Sequence, residues 1–481
     1  MITQALIPAA GRGLRAWPKS HYVPKVLFEI DGKPIIQRNI ELLRDQLGIR
    51  DFTIIVGYEK DQIVKCLGSG DELGVAIRYV ECLDPDIGLA RGMMLACPYF
   101  KGRFVTVLGD TVYIDSNHHE LLSLLPYDFN AVCSLIHTTE LQEIKQNFSV
   151  VLENNRIVSL IEKPTVIENN WLGCGTYLFT SQIFEAIEQT PPSPRSGRVE
   201  LTDAINTLAQ GSPGVLAFYL KGMTFNINTV DEYHYAHYKV RTSRFPTYRV
   251  SVVIPAYNEA QSIAHVVRDF KAVADEVFVV NNSSADQTAA IAKDAGARVE
   301  TVRLKGYGDT IRYGLDHASG DILVVTEADY SFRSRDLSKL LEYLKDSDMV
   351  VGTRTTRELV EQGTNMRGLV RWGNVFVAKL IEALWWKNQP RFTDVGCTYR
   401  VLWKETYHAI KPWLRAVGPE LSPEMMIAAM QARRRVIEVP ISYHKRIGGE
   451  SKHSANYFAV SYTALRMLKT IIRMRVGSLR G

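Results

Sequence analysis

The sequence has no apolar run of membrane-spanning length, few cysteines and little net charge. The closest candidate for a span, Val375 to Trp386, is interrupted by Lys379 and Glu382, whereas a span needs roughly 20 apolar residues. The six cysteines form no C-x-x-C pair, so neither a disulfide framework nor a zinc site is predicted. A net charge of +5 argues against a globally basic protein, so no nucleic-acid partner is expected. Residues Met1 to Gln4 lack the basic segment of a secretory signal, so a reducing cytoplasm is the expected compartment.

The chain is long enough for two domains, and its apolar runs predict how each is built. At roughly 100–200 residues per domain, 481 residues correspond to two or three domains. Short apolar runs alternate with helix-like segments, which is typical of βαβ units and a mostly parallel sheet. The runs are Phe52–Val56, Val75–Val80, Phe104–Leu108, Ala131–Ile136, Val277–Val280, Arg298–Val302, Ile322–Val325 and Met349–Val351. We predict an α/β fold of two doubly wound, Rossmann-like domains, residues 1–240 and 250–456, with a polar linker at 241–249 and a basic tail at 457–481.

The loop after the first apolar run is rich in glycine and carries basic residues. Backbone N–H groups at Ala10, Gly11 and Gly13 can approach phosphate oxygens, because such a turn follows the carboxyl end of a strand. Arg15 and Lys25 supply the positive charge that a triphosphate requires. For the G-x-G pattern alone, a tight turn with surface cations is the alternative.

This constellation resembles the signature of the sugar-1-phosphate nucleotidylyltransferases, A-G-x-G-x-R followed by a Pro and then P-K. Leu14 and Ala16 differ from the residues usual in that family. The matching positions are Gly11, Gly13, Arg15, Pro18, Pro24 and Lys25, together with Gly109-Asp110, Glu162-Lys163-Pro164, Gly173 to Tyr177 (which includes Gly175) and Glu200 to Asp203.

The resemblance implies roles for these residues. Asp110 is expected to bind a catalytic Mg²⁺, while Glu162 and Lys163 contact the sugar and its phosphate. A second metal-binding Asp of the family is replaced here by Asn226 or Asn228, which can bind Mg²⁺ through a carbonyl oxygen without adding charge. The implied reaction is attack by a sugar-1-phosphate oxygen on the α-phosphorus of an NTP, with release of pyrophosphate.

The second half opens on Val252 to Glu259, a strand and loop that resemble the start of family-2 glycosyltransferases, which have the GT-A fold. Asn281 and Asn282 stand where that family has paired Asp residues. The resemblance implies that the nucleotide contacts Pro255, Tyr257, Glu259, Asn282, Asp286, Lys305 and Gly306.

An acidic pair follows the apolar run that ends at Val325. Glu327 and Asp329, two residues apart on the loop leaving a strand, can share a divalent metal that bridges a diphosphate. The family motif is D-x-D, so Glu327 replaces the first Asp and Asp329 is the expected ligand. A solvated acidic turn is the alternative for this segment taken alone. We expect one Mg²⁺ or Mn²⁺ site in each domain.

The last third of the chain narrows the resemblance. Glu438 to Ser442, followed by Arg446 to Lys452, resembles the dolichol- and polyprenyl-phosphate mannosyltransferases, which implies a polyprenyl phosphate acceptor. The segment Asp394 to Arg400 matches a family pattern loosely, because Thr398 stands at a Gly position. A lipid phosphate is already anionic, whereas a sugar hydroxyl needs a general base. The cations expected around two phosphates are Arg354, Arg400, Arg446 and Lys452, and the candidate bases are Asp394 and Glu424.

The tail is strongly basic. From Ile441 to Gly481, eight Lys and Arg against one acid give +7. Within Tyr457–Arg475 the apolar residues have helical spacing, which predicts either a helix on an anionic membrane surface or a terminal helix docked on its own domain. For Trp372–Trp386, core packing is the preferred interpretation and a membrane interface the alternative.

These features predict a bifunctional enzyme. The first domain would make an NDP-sugar from an NTP and a sugar-1-phosphate, and the second would transfer the sugar to an acceptor, expected to be polyprenyl phosphate. Such a protein would be cytoplasmic and peripheral at the inner face of the membrane. A soluble or cell-wall acceptor is one alternative, and a domain that only binds nucleotide-sugar is another.

Overall fold

Two units, Met1–Val240 and Arg241–Gly481, make up the chain in the computed structural model, which describes residues 2–362, 364, 368–386, 391–447 and 457–478. Helices and strands interleave along each unit, which confirms the predicted α/β class.

The first unit contains strands β1 to β13 and helices α1 to α6, and helix α7 begins in it. The strands are β1 Gln4–Ala9, β2 Glu29–Ile30, β3 Lys33–Pro34, β4 Asp51–Val56, β5 Ala76–Glu81, β6 Phe104–Val107, β7 Thr111–Ile114, β8 Ala131–His137, β9 Phe148–Glu153, β10 Arg156–Glu162, β11 Trp171–Phe179, β12 Val215–Tyr219 and β13 Met223–Asn226. The helices are α1 Ile35–Leu47, α2 Lys60–Leu67, α3 Leu89–Met94, α4 Leu141–Gln146, α5 Gln182–Gln189, α6 Leu201–Gln210 and α7 Val230–Arg244.

The main sheet of this unit has nine strands in the order β5-β4-β1-β6-β11-β8-β12-β10-β9. All four apolar runs predicted in this half form strands, namely β4, β5, β6 and β8. The strands β5-β4-β1-β6 are parallel, as expected, and so are β8 and β12. The expectation of a mostly parallel sheet fails for the rest, because β11 is antiparallel to β6 and β8, and β10 is antiparallel to β12 and β9. The hairpin β9–β10 turns through Asn154 and Asn155, both at positive φ, which a type I′ turn requires and Asn tolerates.

The second unit contains a seven-stranded sheet in the order β16-β15-β14-β17-β19-β18-β20. Only β19 is antiparallel to its neighbours, so this sheet follows the prediction more closely. Its strands are β14 Val250–Ala256, β15 Glu276–Asn281, β16 Arg298–Thr301, β17 Ile322–Val325, β18 Met349–Thr353, β19 Arg400–Trp403 and β20 Val436–Pro440. Its helices are α8 Ile263–Lys271, α9 Thr288–Asp294, α10 Tyr307–His317, α11 Leu337–Lys345, α12 Leu369–Leu384, α13 Lys404–Ile410, α14 Leu421–Gln431 and α15 Tyr457–Ser478.

The segment predicted as a linker is largely helical. Helix α7 continues to Arg244, and a 3₁₀ turn, Phe245–Thr247, precedes β14. Arg241 is fully buried in the second unit, where its guanidinium donates to the Ser347 carbonyl at 2.6 Å. The same group pairs with Asp348 at 3.1 Å and with Glu405 at 3.3 Å. A basic residue of the predicted linker is therefore an internal anchor.

The C-terminal helix α15 docks on its own unit, as one of the two interpretations of the tail predicts. Met467, Ile471 and Met474 are buried on one face of the helix. Arg466 pairs at 2.5 Å with Glu420, the residue before α14, and Arg473 pairs with the buried Glu424. Among the described residues, no helix is both long enough and apolar enough to cross a membrane.

We expect replacement of Arg241 by Met to lower the free energy of unfolding of the second unit by about 3 kcal/mol, because it removes the cation that compensates the charge of the largely buried Asp348. Urea denaturation followed by circular dichroism measures this change. Arg268→Met, at an exposed position on α8, is the matched control and should change stability little. Equal stability of the Arg241 variant and the wild type would contradict the anchoring role.

Candidate active sites

The glycine-rich loop of the first unit leaves β1 at the edge where the parallel strands end. Gly13 has φ 62° and lies in the left-handed region, which favours glycine. The Ser20 hydroxyl donates to its carbonyl at 2.8 Å, and a Cβ at Gly13 would lie 3.3 Å from that of Lys25. Gly11 is exposed and Ala10 is half-buried, so the loop is open to a ligand.

The structure brings the predicted cations of this unit to the predicted metal-binding residues. The Lys25 ammonium donates to Asp110 Oδ2 at 2.5 Å, and the Arg15 guanidinium donates to Asn228 Oδ1 at 2.7 Å. Strand β13 pairs with β7 so that Asn226 lies opposite Thr111, the residue after Asp110. Residues more than 200 positions apart in sequence thus meet at one edge.

The amide of Asn226 has a feature that fits an oxygen-preferring cation. Its Nδ2 donates to Asn147 Oδ1 at 3.0 Å, whereas its Oδ1 is buried and has no hydrogen-bond partner within the described part of the chain. Buried acceptors are rarely left unpaired, and carboxylate and amide oxygens are suitable ligands for Mg²⁺. The described residues contain no cluster of three or more His, Cys, Asp or Glu that could hold a metal.

Asn147 is a site residue that the sequence prediction missed. Besides orienting Asn226, its carbonyl accepts the backbone N–H of Lys163 at 2.6 Å. Lys163 has φ 46°, so this contact holds a residue in a conformation unusual for lysine. The neighbouring Glu162 is half-buried, and burial together with the charge of Glu200 raises its pKa. Asn147 follows a short helix and belongs to no family motif that we recognised, so only its contacts identify it.

The predicted glycines of this unit sit where strands approach closely. A Cβ on Gly109 would lie 2.7 Å from the Pro8 carbonyl oxygen, and one on Gly175 would lie 2.5 Å from Thr111 Oγ1. Side chains at these positions would push Asp110 and β11 apart, so both glycines act through packing.

A second missed residue, His118, lies behind Gly175. Its Nδ1 shares a hydrogen bond with Ser116 at 2.8 Å and its Nε2 with the Thr176 hydroxyl at 2.9 Å. Thr176 in turn donates to the Tyr113 hydroxyl. Burial lowers the pKa of His118 to about 4, so the ring is neutral at pH 7.

In the second unit, the nucleotide-binding loops predicted from sequence lie after β14 and β15. Pro255 is buried in β14, whereas Tyr257 is exposed beyond its end. Asp286 accepts the backbone N–H of Ala260 at 3.2 Å and that of Thr288 at 3.0 Å, and Asn282 Oδ1 accepts the N–H of Leu304 at 2.9 Å. Asp286 and Asn282 therefore shape the loops through backbone contacts.

The predicted diphosphate segment follows β16. Lys305 is exposed, and Gly306 packs so tightly that a Cβ would lie 2.4 Å from the Val417 carbonyl oxygen.

Arg446 meets two of the predicted acidic residues. Its guanidinium donates to Glu259 at 3.0 Å and lies 4.0 Å from Asp329 Oδ2. Asp329 also accepts hydrogen bonds from the backbone and hydroxyl of Ser331, at 3.0 and 2.6 Å. Burial raises the pKa of Glu259, and the Arg446 charge opposes that shift. The carboxylates of Asp329 and Glu259 thus share one cation.

Glu327 points to Thr398. The Thr398 hydroxyl donates to Glu327 Oε1 at 2.8 Å, and burial and the charge of Asp329 raise the pKa of Glu327. Both residues depart from the family pattern, with Glu in place of Asp and Thr in place of Gly. The longer side chain is therefore held by a hydroxyl that the usual Gly cannot supply.

Arg354 is held in place by two layers of acidic residues. Asp394 is fully buried and accepts from Arg354 Nε at 2.8 Å and from Nη2 at 2.9 Å. Burial disfavours the charge of Arg354, but the pairing with Asp394 raises its pKa. Glu438 then accepts the backbone N–H groups of Thr393 and Asp394, each at 2.7 Å. Burial raises the pKa of Glu438 to about 7.

Two predicted residues belong to the interior instead of the site. Arg400 is buried and donates to the carbonyls of Val395, Cys397 and Ser422, so it does not join a cluster of phosphate-binding cations. Burial lowers its pKa to about 10. Glu424 is fully buried, where it accepts backbone N–H groups and pairs with Arg473. Lys452 lies outside the described residues.

Comparison with known proteins places a family in each half. Residues 4–243 match the family model for nucleotidyl transferases, and residues 251–402 match glycosyl transferase family 2. The bifunctional protein GlmU of Methanocaldococcus jannaschii is 33% identical over 206 residues, which is 42% of this chain and 46% of that protein.

Other relatives match the same half. The UTP--glucose-1-phosphate uridylyltransferase AglF of Haloferax volcanii is 29% identical over 47% of this chain and 90% of its own length. A UDP-glucose pyrophosphorylase solved with UDP-glucose has a TM-score of 0.45 at 24% identity, over 51% of this chain and all of that chain. The chain spans about half the length of the GlmU relatives that it matches.

We expect Thr398→Val to destabilise the second unit by about 1–3 kcal/mol, because it leaves a buried carboxyl without its hydrogen bond. Thr398→Ser, which keeps the hydroxyl, is the control. In a Glu327→Asp background the shorter side chain makes at most a weak hydrogen bond to Thr398. Thr398→Val should therefore lower the free energy of unfolding much less in that background. Thermal and urea unfolding of the four variants measure the coupling. Additive effects would show that the two departures are independent.

The buried His118 predicts a pH dependence for the first unit. Its pKa falls from 6.5 to about 4 on folding, so the unfolded chain binds the proton more tightly and stability is lost as pH falls from 6.5 towards 4. The loss amounts to about 3 kcal/mol. Urea unfolding across that range should show this slope in the wild type and a shallower one in His118→Gln. The exposed neighbour His119 provides the control, His119→Gln, which should keep the wild-type slope.

Proposed function

We propose that this chain, which carries a nucleotidyl transferase domain and a family 2 glycosyl transferase domain, makes an NDP-sugar with the first and transfers the sugar with the second. One observation supports both activities: each domain has a carboxylate facing a basic side chain at the edge where its parallel strands end. The pairs are Asp110 with Lys25 and Asp329 with Arg446.

In the first domain, the proposed substrates are an NTP and a sugar-1-phosphate. The glycine-rich loop and Arg15 would hold the phosphates, and Lys25 would offset charge at the α-phosphorus. Asp110 and Asn226 would hold Mg²⁺ or Mn²⁺, which neutralises phosphate charge when bound. An oxygen of the sugar-1-phosphate forms the new bond to the α-phosphorus as the bond to pyrophosphate breaks. Lys163 and Glu162 lie on the neighbouring loop and would contact the sugar phosphate.

The names of the relatives support this substrate class. AglF, which is named as a UTP--glucose-1-phosphate uridylyltransferase, matches this half of the chain over 90% of its own length. Assays with a panel of NTPs and sugar-1-phosphates would identify the base and the sugar that this chain uses.

In the second domain, we propose a phosphate acceptor, namely polyprenyl phosphate. Transfer to a sugar hydroxyl needs a general base, and the two residues predicted for that role, Asp394 and Glu424, are fully buried and ion-paired. A phosphate needs no base, and Arg354 and Arg446 supply two cations close to Glu327, where both oppose the rise in its pKa that burial causes. Asp329, with Glu327 beside it, would hold the divalent metal that neutralises the NDP leaving group.

Such an acceptor is a membrane lipid, so we further propose that the protein is cytoplasmic and acts as a peripheral protein at the inner face of the membrane.

A pair of isosteric variants tests the two-site proposal. Asp110→Asn should lower pyrophosphate release from an NTP and sugar-1-phosphate panel by about 10²-fold or more, because a key charge is lost. Transfer from supplied NDP-sugar to short-chain polyprenyl phosphate should stay intact. Asp329→Asn should show the reverse pattern.

The controls are Asp128→Asn and Asp294→Asn, at exposed positions of the two units, which should leave both activities unchanged. Equal damage to both activities by either active-site variant would contradict the two-site proposal. Robust transfer to a soluble saccharide, with none to the lipid phosphate, would overturn the acceptor.

A further inference from the structure

Helix α15 exposes Tyr462, Leu465 and Ile472, three of the apolar residues that have helical spacing in the sequence. The docked face buries Met467, Ile471 and Met474, whereas Leu465 is 65% exposed and Ile472 57%. The exposed positions follow helical spacing and form one stripe, which comprises Tyr462, Leu465, Lys469, Ile472, Arg473 and Val476. Docking therefore uses one side of the helix and leaves a second apolar side uncovered.

Helix α12 shows the same arrangement. Trp372 is 69% exposed and Trp386, just beyond the helix, is 66% exposed, so core packing is wrong for these two residues. Trp385 is buried, as core packing predicts. Phe376 and Lys379 are also exposed, and the helical spacing of Trp372, Phe376 and Lys379 places these three residues on one face of α12. Burying large aromatic rings would normally be favourable, so the exposed Trp372, Phe376 and Trp386 indicate an interaction surface.

The two stripes lie on neighbouring helices, since α12 contacts α15 and Arg475 lies over the ring of Trp385. We call them together the two-helix surface: Trp372, Phe376, Lys379 and Trp386 with Tyr462, Leu465, Lys469, Ile472, Arg473 and Val476.

The charge of this surface selects its partner. Helix α15 contains no acidic residue, and the one acid of α12, Glu382, pairs with Lys379 at 2.6 Å. Lys469 is exposed among the apolar side chains of this stripe, whereas Arg473 pairs with the buried Glu424. A second copy of this chain would bring like charges together, whereas an anionic lipid surface complements them.

We propose that the two-helix surface binds the anionic surface of a lipid bilayer and lies in the interface without spanning it. Tryptophan and tyrosine favour the depth of the lipid headgroups, and exposed aliphatic side chains enter the boundary with the acyl chains. This inference deepens the proposed lipid-phosphate acceptor and names the surface that would bring the enzyme to it. It rests on exposure and charge, so its test does not depend on catalysis.

The experiment is flotation of the full chain with vesicles of phosphatidylcholine alone and of phosphatidylcholine with phosphatidylglycerol. Wild-type protein should float only with the anionic vesicles and should be released near 1 M salt, where the Debye length falls to ~3 Å. The triple variant Trp372→Ser, Leu465→Ser, Ile472→Ser should bind at least about tenfold more weakly. The control Val273→Ser, Tyr343→Ser removes exposed apolar side chains elsewhere on the second unit and should bind like wild type.

Brominated phosphatidylcholine gives a second readout. It should quench tryptophan fluorescence in the wild type and much less in Trp372→Phe, Trp386→Phe, which should still float. Circular dichroism checks that all variants are folded. The proposal is overturned if wild type floats with neither vesicle, or if the triple variant floats as well as wild type. Loss of a dimer in sedimentation of the triple variant, without vesicle binding by wild type, would instead assign the surface to a second copy.

Sugar transfer in detergent separates this inference from the proposed acceptor. If wild type floats but transfers no sugar to polyprenyl phosphate, the acceptor fails and the surface stands. If wild type transfers sugar in detergent but does not float with vesicles, the proposed membrane-binding surface is contradicted and the proposed acceptor is supported.

Discussion

A carboxylate that faces a basic side chain is the element on which both candidate sites depend. Lys25 reaches Asp110 at 2.5 Å in one unit, and Arg446 lies between Glu259 and Asp329 in the other. At about 4 Å such a pair is worth on the order of 4 kcal/mol at the effective dielectric of a protein surface. The same cations are within reach of phosphate oxygens once a nucleotide enters. In the proposed function, the acid of each pair would bind a metal and the base would bind a phosphate.

The residues around these pairs show how a departure from a family pattern can be accommodated. Glu327 is longer than the usual Asp, and Thr398 supplies the hydroxyl that holds its extra length. Asn226 lacks the charge of the usual Asp, and Asn147 orients its amide so that the oxygen stays available. In both cases the compensating residue is distant in the chain and uninformative by itself. The substitutions thus change the charge and reach of the ligands while the oxygen atoms remain at the site.

Buried acids in the second unit position basic side chains. Asp394 fixes Arg354, Glu438 fixes the loop that carries Asp394, and Glu424 receives Arg473 from the C-terminal helix. Removing either partner of a buried ion pair would be costly, because the charge that remains is left without compensation. Docking of α15 uses two ion pairs, made by Arg466 and Arg473, and it leaves Tyr462, Leu465 and Ile472 exposed. The proposed contact with lipid and the proposed lipid-phosphate acceptor are consistent with that division.

The amino-acid sequence was sufficient for the features that are local in the chain. It predicted the α/β class, eight of the strands, the glycine-rich loop and a different family for each half of the chain. These features could be predicted because strand periodicity and loop composition depend on consecutive residues. It could not predict the antiparallel strands of the first sheet, the contact of Thr398 with Glu327, or the roles of Asn147 and His118. Those depend on which strands become neighbours, and residues far apart in sequence then share one hydrogen bond. The tertiary structure alone decided that Arg400 and Glu424 are interior while Trp372 and Trp386 are exposed, because burial is a property of the packed chain and a charged or aromatic residue type is compatible with either side.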